Sequence, residues 1–181
     1  MNADAINKQY WSTVELARML AGQYFPGEEL LTQLLPKSSV LDVGCGVGKV
    51  AEYLYEKGLN VTGIDINVKA LDEDRKRNQN ITYIEADITE SLPFEDASFD
   101  CVVVAYVLVS VISPEKERAA VKELIRVLKP NGLLWIAEAT HSEDYEERYK
   151  LGKEVTGLDN TALSFSKSSS EVNKIERVIR H

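Results

Sequence analysis

The chain has 181 residues and a formal net charge of −8, and 44% of its residues are hydrophobic and 28% charged. This composition is typical of one globular domain that buries a core. The excess of acidic residues argues against binding a nucleic-acid backbone, which requires clustered Lys and Arg.

The sequence also argues against a membrane partner. The longest apolar run, residues 101–109, is about half as long as a membrane span requires. The first residues lack the pattern of a secretory signal. Cys45 and Cys101 lie in apolar surroundings without CxxC spacing, so we expect core or turn residues rather than a disulfide or a metal site. We therefore predict a cytoplasmic protein without a bound metal.

Residues 1–38 predict an N-terminal helical segment, interrupted by Pro26, Gly27 and Pro36. After it, short apolar runs alternate with amphipathic segments. The predicted strands are SVLDVG, NVTGIDI, ITYIEADI, FDCVVVAYVLV and GLLWIAEA. This alternation predicts an α/β fold, a doubly wound (Rossmann-like), mostly parallel sheet with helices on both faces, over residues 39–139.

Local signals mark where the predicted helices begin and end. Asn67 and Ser113 are candidate N-caps, the second followed by Pro114, and Gly58 is a candidate stop signal. In the tail, residues 140–181, a serine-rich loop separates TALSF from KIERVI, which are two short candidate strands. We expect the C-terminal strands to be incomplete or irregular.

The stretch VLDVGCGVGKV places three glycines where the first strand enters a helix. Ligands of doubly wound sheets bind at such strand ends, and glycine lets backbone amides approach them closely. A dinucleotide motif would have a third glycine at position 49, which is Lys49. A carboxylate at Asp42 about 4 Å from a phosphate would cost on the order of 4 kcal/mol at an effective dielectric near 20. Asp42 therefore favours a cationic ligand over a pyrophosphate.

Two further acids end successive strands. Asp65 follows the second strand, where a carboxylate can accept hydrogen bonds from both hydroxyls of a ribose. Asp87 ends the third strand and could accept one from an exocyclic adenine amine. Either residue alone is compatible with a helix cap or turn former. Together with the glycine loop, they indicate a nucleoside site.

These motifs resemble the class I S-adenosylmethionine-dependent methyltransferases in the order in which that family carries them. VLDVGCGVG is similar to the first family motif and VTGIDI to the acidic loop after it. YIEADITESLPFEDASFDCVVVAYVL and LIRVLKPNGLLWIAE are similar to the regions leading into the fourth and fifth strands. The resemblance implies S-adenosyl-L-methionine as cofactor and S-adenosyl-L-homocysteine as product.

The resemblance also implies roles for individual residues. The cofactor-binding candidates are Asp42 near the ammonium, Gly44, Cys45 and Gly46 along the methionine moiety, Asp65 on the ribose, Ile66 and Ile88 on either side of the adenine, and Asp87 at its edge. Tyr106, at the end of the fourth strand, would lie near the sulfonium and is a catalytic candidate. Tyr10 and Trp11, in the segment expected to cap the site, are candidates for a lid, with core packing as the alternative.

The sequence excludes more acceptors than it identifies. It lacks the family's Asn/Asp-Pro-Pro-aromatic, Pro-Cys and paired-glutamate signatures, as well as the strand-end acid of the metal-dependent catechol type. A small-molecule O- or N-methyltransferase remains. His141 and Glu138 are candidate general bases, with an exposed loop histidine and a structural carboxylate as the alternatives.

The chain departs from the family after the fifth strand, where the expected antiparallel pair is not evident from the sequence. The fifth strand then has an uncovered edge. An irregular tail strand, a second subunit (a homodimer or a partner) or residues missing from a shortened chain could cover it, and we favour the last. The alternative functions are a non-catalytic cofactor-binding subunit and, third, a nicotinamide oxidoreductase.

Overall fold

The computed structural model describes residues 2–15, 24–138, 153–154, 161–165 and 175–180. The helices in this part of the chain are α1 (Ala3–Thr13), α2 (Glu28–Leu31), α3 (Lys49–Glu56), α4 (Val68–Arg77) and α5 (Pro114–Val127), with a 3-10 turn at Leu108–Ser110. The strands are β1 (Ser39–Val43), β2 (Asn60–Asp65), β3 (Thr82–Glu85), β4 (Phe99–Ala105), β5 (Leu128–Ala137), β6 (Thr161–Phe165) and β7 (Ile175–Arg180).

Five strands form one parallel sheet in the order β3-β2-β1-β4-β5. The chain moves outward from β1 to β3, then crosses back to β4 on the other side of β1. The strand order therefore reverses between β1 and β4, where doubly wound folds bind their ligands. The predicted α/β fold is confirmed.

The helix ends follow the predicted caps. The Asn67 side chain accepts a hydrogen bond from the Ala70 amide, and the Ser113 side chain accepts one from Lys116. Gly58 adopts a φ of +84° just after α3, a conformation that glycine reaches without steric cost. Helix α1, in the predicted N-terminal helical segment, begins at Ala3 and ends at Thr13, and residues 16–23 lie outside the described part.

Each face of the sheet has its own hydrophobic core. Leu54 of α3 and Leu71 of α4 are fully buried on one face, whereas Leu124 and Val127 of α5 are fully buried on the other. The two cysteines are free and buried, as predicted. Covering both faces fixes the sheet rigidly, so the loops at its carboxyl edge start from defined positions.

The fifth strand begins earlier than its sequence predicts. Leu128 already pairs with Phe99, and the register shifts before Cys101 pairs with Leu133. Asn131, with a φ of +64°, lies in this irregular segment. Four residues, 129–132 (KPNG), therefore stand against Asp100 alone, so the chain turns here between the first pairing of β5 and the rest of the strand.

The two candidate tail strands form, but they do not complete the five-stranded sheet, so the C-terminal strands are incomplete as expected. β6 and β7, predicted as TALSF and KIERVI, pair antiparallel, from Thr161 opposite Arg180 to Phe165 opposite Ile175. They form a separate two-stranded sheet instead of extending the five-stranded one. Short alternating segments can pair with each other without joining the parallel sheet, which explains why the sequence showed strands but not their placement.

Candidate functional site

The glycine loop is built from three residues with left-handed backbone. Gly44, Gly46 and Gly48 have φ values of +66°, +56° and +68°. A Cβ at Gly44 would overlap the Val107 side chain, and one at Gly48 would lie 2.8 Å from Tyr83 Oη. Side chains are therefore excluded from the loop by backbone conformation and by neighbouring atoms. The loop connects the end of β1 to the first turn of α3.

Asp65 ties this loop to the end of β2. Its Oδ2 accepts a hydrogen bond from the Gly46 amide and its Oδ1 accepts one from the Asn67 amide, both at 2.8 Å. Burial raises the pKa of Asp65, and these amides partly oppose the shift. Each carboxylate oxygen can accept more than one hydrogen bond, so Asp65 can still receive ribose hydroxyls.

Asp42 lies in the centre of the sheet, in register with Gly63 on β2 and Val103 on β4. Its side chain is 2% exposed, and its Oδ2 has no hydrogen-bond partner among the described residues. Burial, reinforced by the Asp65 carboxylate, raises its pKa to about 8. An unpartnered buried acceptor is costly, so this position fits a ligand that brings N–H donors or a positive charge.

The remaining cofactor candidates differ in how they face the site. The backbone of Cys45 holds the loop in place, because its amide donates to the Ile64 carbonyl and its carbonyl accepts from the Gly48 amide, and its side chain is buried against Gly63. Ile66 is partly exposed at the strand end, whereas Ile88 is packed into the core on the α5 face. The structure therefore brings Ile66 to the surface of the carboxyl edge and Ile88 beneath it.

Asp87 lies at the third strand end and is already engaged. Its Oδ1 accepts from the Thr89 amide at 2.9 Å and from the Thr89 hydroxyl at 2.8 Å, and its Oδ2 is 2.7 Å from Lys8 Nζ. Burial acts to raise the pKa of Asp87, but the Lys8 and Thr89 hydrogen bonds leave it below the ordinary value. Sequence reasoning missed Lys8, because an exposed helix residue so far from Asp87 in the chain carries no signal of this contact.

Helix α1 lies across the carboxyl edge of the sheet. The Trp11 indole donates to Ser110 Oγ at 2.9 Å, and the Asn7 side chain donates to the Ser110 carbonyl at 2.7 Å. From below, the buried Asn67 side chain donates to the Trp11 carbonyl at 3.0 Å. Tyr10 packs edge-on against Trp11 with ring centroids 4.9 Å apart. These contacts place the two lid candidates over the strand ends.

Tyr106 follows β4 with a φ of +58°, a rare backbone conformation for a non-glycine residue. Its amide donates to the Ala137 carbonyl at 2.8 Å. Its ring lies 5.0 Å from that of Tyr24, and the hydrogen bond between the two side chains raises the pKa of Tyr106 to about 12. Tyr24 was not predicted, because nothing in the sequence connects it to β4.

Glu138 faces the backbone that follows Tyr106. Its Oε1 accepts from the Val107 and Leu108 amides at 3.0 and 2.8 Å, and its Oε2 accepts from Val109 at 3.4 Å. Burial raises its pKa, and the three amides oppose the shift. These contacts favour the structural alternative for Glu138 over the general base. His141, the other base candidate, lies outside the described residues.

Within the part of the chain that the structure describes, no group of three or more His, Cys, Asp or Glu residues could hold a metal ion. In the same residues, no helix is both long and apolar enough to cross a membrane.

The comparisons with known proteins agree with this geometry. A family model described as a methyltransferase domain matches residues 41–136. A demethylmenaquinone methyltransferase from Renibacterium salmoninarum is 38% identical over 107 residues, which cover 59% of this chain and 44% of the relative. A malonyl-[acyl-carrier protein] O-methyltransferase from Enterobacter lignolyticus is 37% identical over 95 residues, 52% of this chain and 36% of the relative.

Among solved structures, a SAM-dependent methyltransferase from Methanosarcina mazei superposes with a TM-score of 0.78 at 27% identity, covering 87% of this chain and 79% of that one. The chain therefore spans less than half the length of the two curated relatives, but most of the length of this solved structure.

Proposed function

Because this chain belongs to the class I S-adenosylmethionine-dependent methyltransferases, we propose that it transfers the methyl group of S-adenosyl-L-methionine to an oxygen or nitrogen of a small-molecule acceptor. The observation that carries the proposal is the meeting of the glycine loop with Asp65 at the carboxyl ends of β1 and β2, next to the point where strand order reverses between β1 and β4. This arrangement offers backbone amides and a carboxylate to the same ligand.

The residues present fit the cofactor. Asp42 supplies a buried acceptor for its ammonium group, Gly44 and Gly46 bring backbone close to the methionine moiety, and Asp65 accepts from the ribose hydroxyls. Ile66 at the exposed strand end would contact the adenine, with Ile88 packed beneath it, and Asp87 would accept from its amine. When bound, the cofactor supplies a methyl group activated by its sulfonium.

The role of the chain in the reaction is to position the reactants and exclude water. Tyr106 lies where the methyl acceptor would bind. Its position is fixed, because its amide donates to the Ala137 carbonyl and the next amide, that of Val107, donates to Glu138. Trp11 and the rest of α1 shield the strand ends from solvent. His141 remains our proposed base for a hydroxyl acceptor, and the cytoplasm our proposed compartment.

The relatives suggest which acceptors to test first. One acts on demethylmenaquinone and another on a malonyl group carried by acyl-carrier protein. Compounds of both kinds belong in an acceptor screen, read out as S-adenosylhomocysteine released. If S-adenosylhomocysteine is released with none of these compounds and with no other small O or N nucleophile, the non-catalytic cofactor-binding subunit is the better description.

The first experiment is calorimetric titration with S-adenosylmethionine, S-adenosylhomocysteine and NADH. We expect both adenosyl ligands to bind and NADH not to. Asp65→Ala should weaken binding about tenfold or more, since hydrogen bonds to a charged group contribute about 1.5–3 kcal/mol each. Asp65→Asn, which keeps one acceptor, should lose less.

Asp72→Ala is the matched control, because Asp72 is an exposed acid on α4 that pairs at 2.7 Å with Arg75 on the same helix. It should bind like the wild type. Binding of NADH, or equal affinity in the Asp65 and Asp72 variants, would contradict the proposed function.

A further inference from the structure

The Lys8–Asp87 ion pair occupies the oxygen that a nucleoside would need. Thr89 takes Asp87 Oδ1 with two hydrogen bonds, and Lys8 takes Oδ2 at 2.7 Å. The hydrogen bond to Asp87 and its charge raise the pKa of Lys8, so both partners are ionised at neutral pH. Oδ2 can accept a second hydrogen bond, but the carboxylate is only 17% exposed and Lys8 stands at that exposed side, so an amine that approaches from solvent competes with Lys8 for this oxygen.

The two partners differ in their access to water. The Lys8 side chain is 62% exposed and that of Asp87 17%. A lysine ammonium released into solvent is fully hydrated, whereas the half-buried carboxylate needs a new donor when it loses Lys8. The pair can therefore be exchanged at low cost only for another N–H donor that reaches the same oxygen.

Helix α1 does not depend on this pair for its position. Its attachment includes the Asn7 and Trp11 hydrogen bonds to Ser110 and the hydrogen bond from Asn67. At its start, Asp4 Oδ1 also accepts from the Ile112 amide at 2.9 Å. The Lys8 side chain can swing into solvent while the helix stays in place.

We propose that Lys8 is an internal competitor of the adenine amino group for Asp87, and that it thereby sets how tightly the cofactor is held. The proposal rests on the proposed function, because it takes Asp87 to be the acceptor of that amine. A purine with a 6-amino group displaces Lys8 from Oδ2. A purine with a 6-oxo group has no donor there and leaves the ion pair intact.

The substitution that tests this is Lys8→Met, which keeps the length of the side chain and removes the charge. S-adenosylhomocysteine is the probe, because it carries no net charge of its own. We expect its affinity to rise about two- to fivefold, the effect of removing one largely exposed ion pair. In the wild type its affinity should increase with added salt, which screens the competing pair, and in Lys8→Met it should stay constant.

A second probe separates competition from simple obstruction. S-inosylhomocysteine, with the 6-oxo group, should gain nothing from Lys8→Met. The matched control is Lys76→Met, which removes an exposed lysine paired at 2.7 Å with Glu73 on α4, away from the strand ends. It should leave the affinity and salt response of S-adenosylhomocysteine unchanged.

The outcomes are distinct. If the wild type binds S-adenosylhomocysteine but Lys8→Met binds it no more tightly, or binds the inosyl analogue more tightly by the same factor, the competition is refuted and the proposed function stands. If neither the wild type nor Lys8→Met binds S-adenosylhomocysteine, the proposed function fails and this inference with it.

Discussion

The buried carboxyl of Asp42 makes the protein's stability depend on pH in a way that one substitution removes. Burial raises its pKa in the folded protein to about 8, against an ordinary value of 3.8. Between these two values the folded state holds a proton that the unfolded state has released. The free energy of unfolding therefore falls as pH rises through this window, by about 1.4 kcal/mol for each pH unit.

At pH 7 Asp42 lowers the free energy of unfolding by on the order of 4 kcal/mol, since about three pH units separate 3.8 from 7. Asp42→Asn removes this effect, because an amide is neutral at every pH. The Asn oxygen can still accept the hydrogen bond from the Ala51 amide. Its NH₂ group buries a donor much as the protonated carboxyl does, so it brings no larger penalty.

We therefore expect Asp42→Asn to be more stable than the wild type at pH 7, with a difference that shrinks by about 3 kcal/mol between pH 7 and pH 5. The assay is guanidinium unfolding followed by circular dichroism at pH 5, 6 and 7. The acids Asp65 and Asp74 near this site titrate in both proteins and largely cancel. The Cys45 thiol, whose pKa burial raises, stays protonated in both over this range.

Asp72→Asn is the control, and its stability difference from the wild type should not change with pH over this range. A constant difference for Asp42→Asn as well would refute the reasoning, because it would mean that Asp42 ionises equally in the folded and unfolded chains. If the carboxylate meets the cofactor's ammonium, the same stabilised variant should bind S-adenosylmethionine more weakly.

Two further substitutions test the loop and the helix attachment. Gly48→Ala should destabilise the protein by about 2–4 kcal/mol in thermal or denaturant unfolding, because backbone strain adds to overlap with Tyr83. Gly58→Ala, whose Cβ would meet nothing within 4 Å, should lose only the about 1–2 kcal/mol that the backbone strain costs. Equal losses of stability would show that the contact with Tyr83 is unimportant. Asn67→Ala should lower the free energy of unfolding by about 1–3 kcal/mol and speed hydrogen exchange in residues 3–13, since it removes both the α4 cap and the hydrogen bond to the Trp11 carbonyl. Unchanged exchange in residues 3–13 would mean that α1 is held without the Asn67 side chain.

The sequence was sufficient for the elements that depend on local signals. The caps at Asn67 and Ser113 and the stop at Gly58 depend on neighbouring backbone groups, so their residue types reveal them. The glycine loop is likewise local, since its conformation requires glycine at the positions where φ is positive. The acids at the ends of β2 and β3 follow from strand order, because parallel strands end at the same edge.

The contacts that complete the site could not be read in this way. Glu138 finds its partners in the amides of Val107–Val109 on the neighbouring strand end, and amides have no sequence signature. Lys8 looks like any solvent-exposed helix residue until the fold brings it to Asp87. The burial of Asp42 was hidden for another reason: a strand covered on both faces shows no alternation to reveal where each side chain points.

The attachment of α1 also bears on the order in which the protein assembles. Asn7 and Ser110, which join it to the rest of the molecule, are 103 positions apart, and contacts across so long a loop must overcome a large closure entropy. The helix itself buries only Ala3 and Asn7. We therefore expect it to dock late in folding and to open locally at less free energy than the sheet. A protease that cleaves near residue 8 would then report local opening long before the core unfolds, and a bound nucleoside would slow that cleavage.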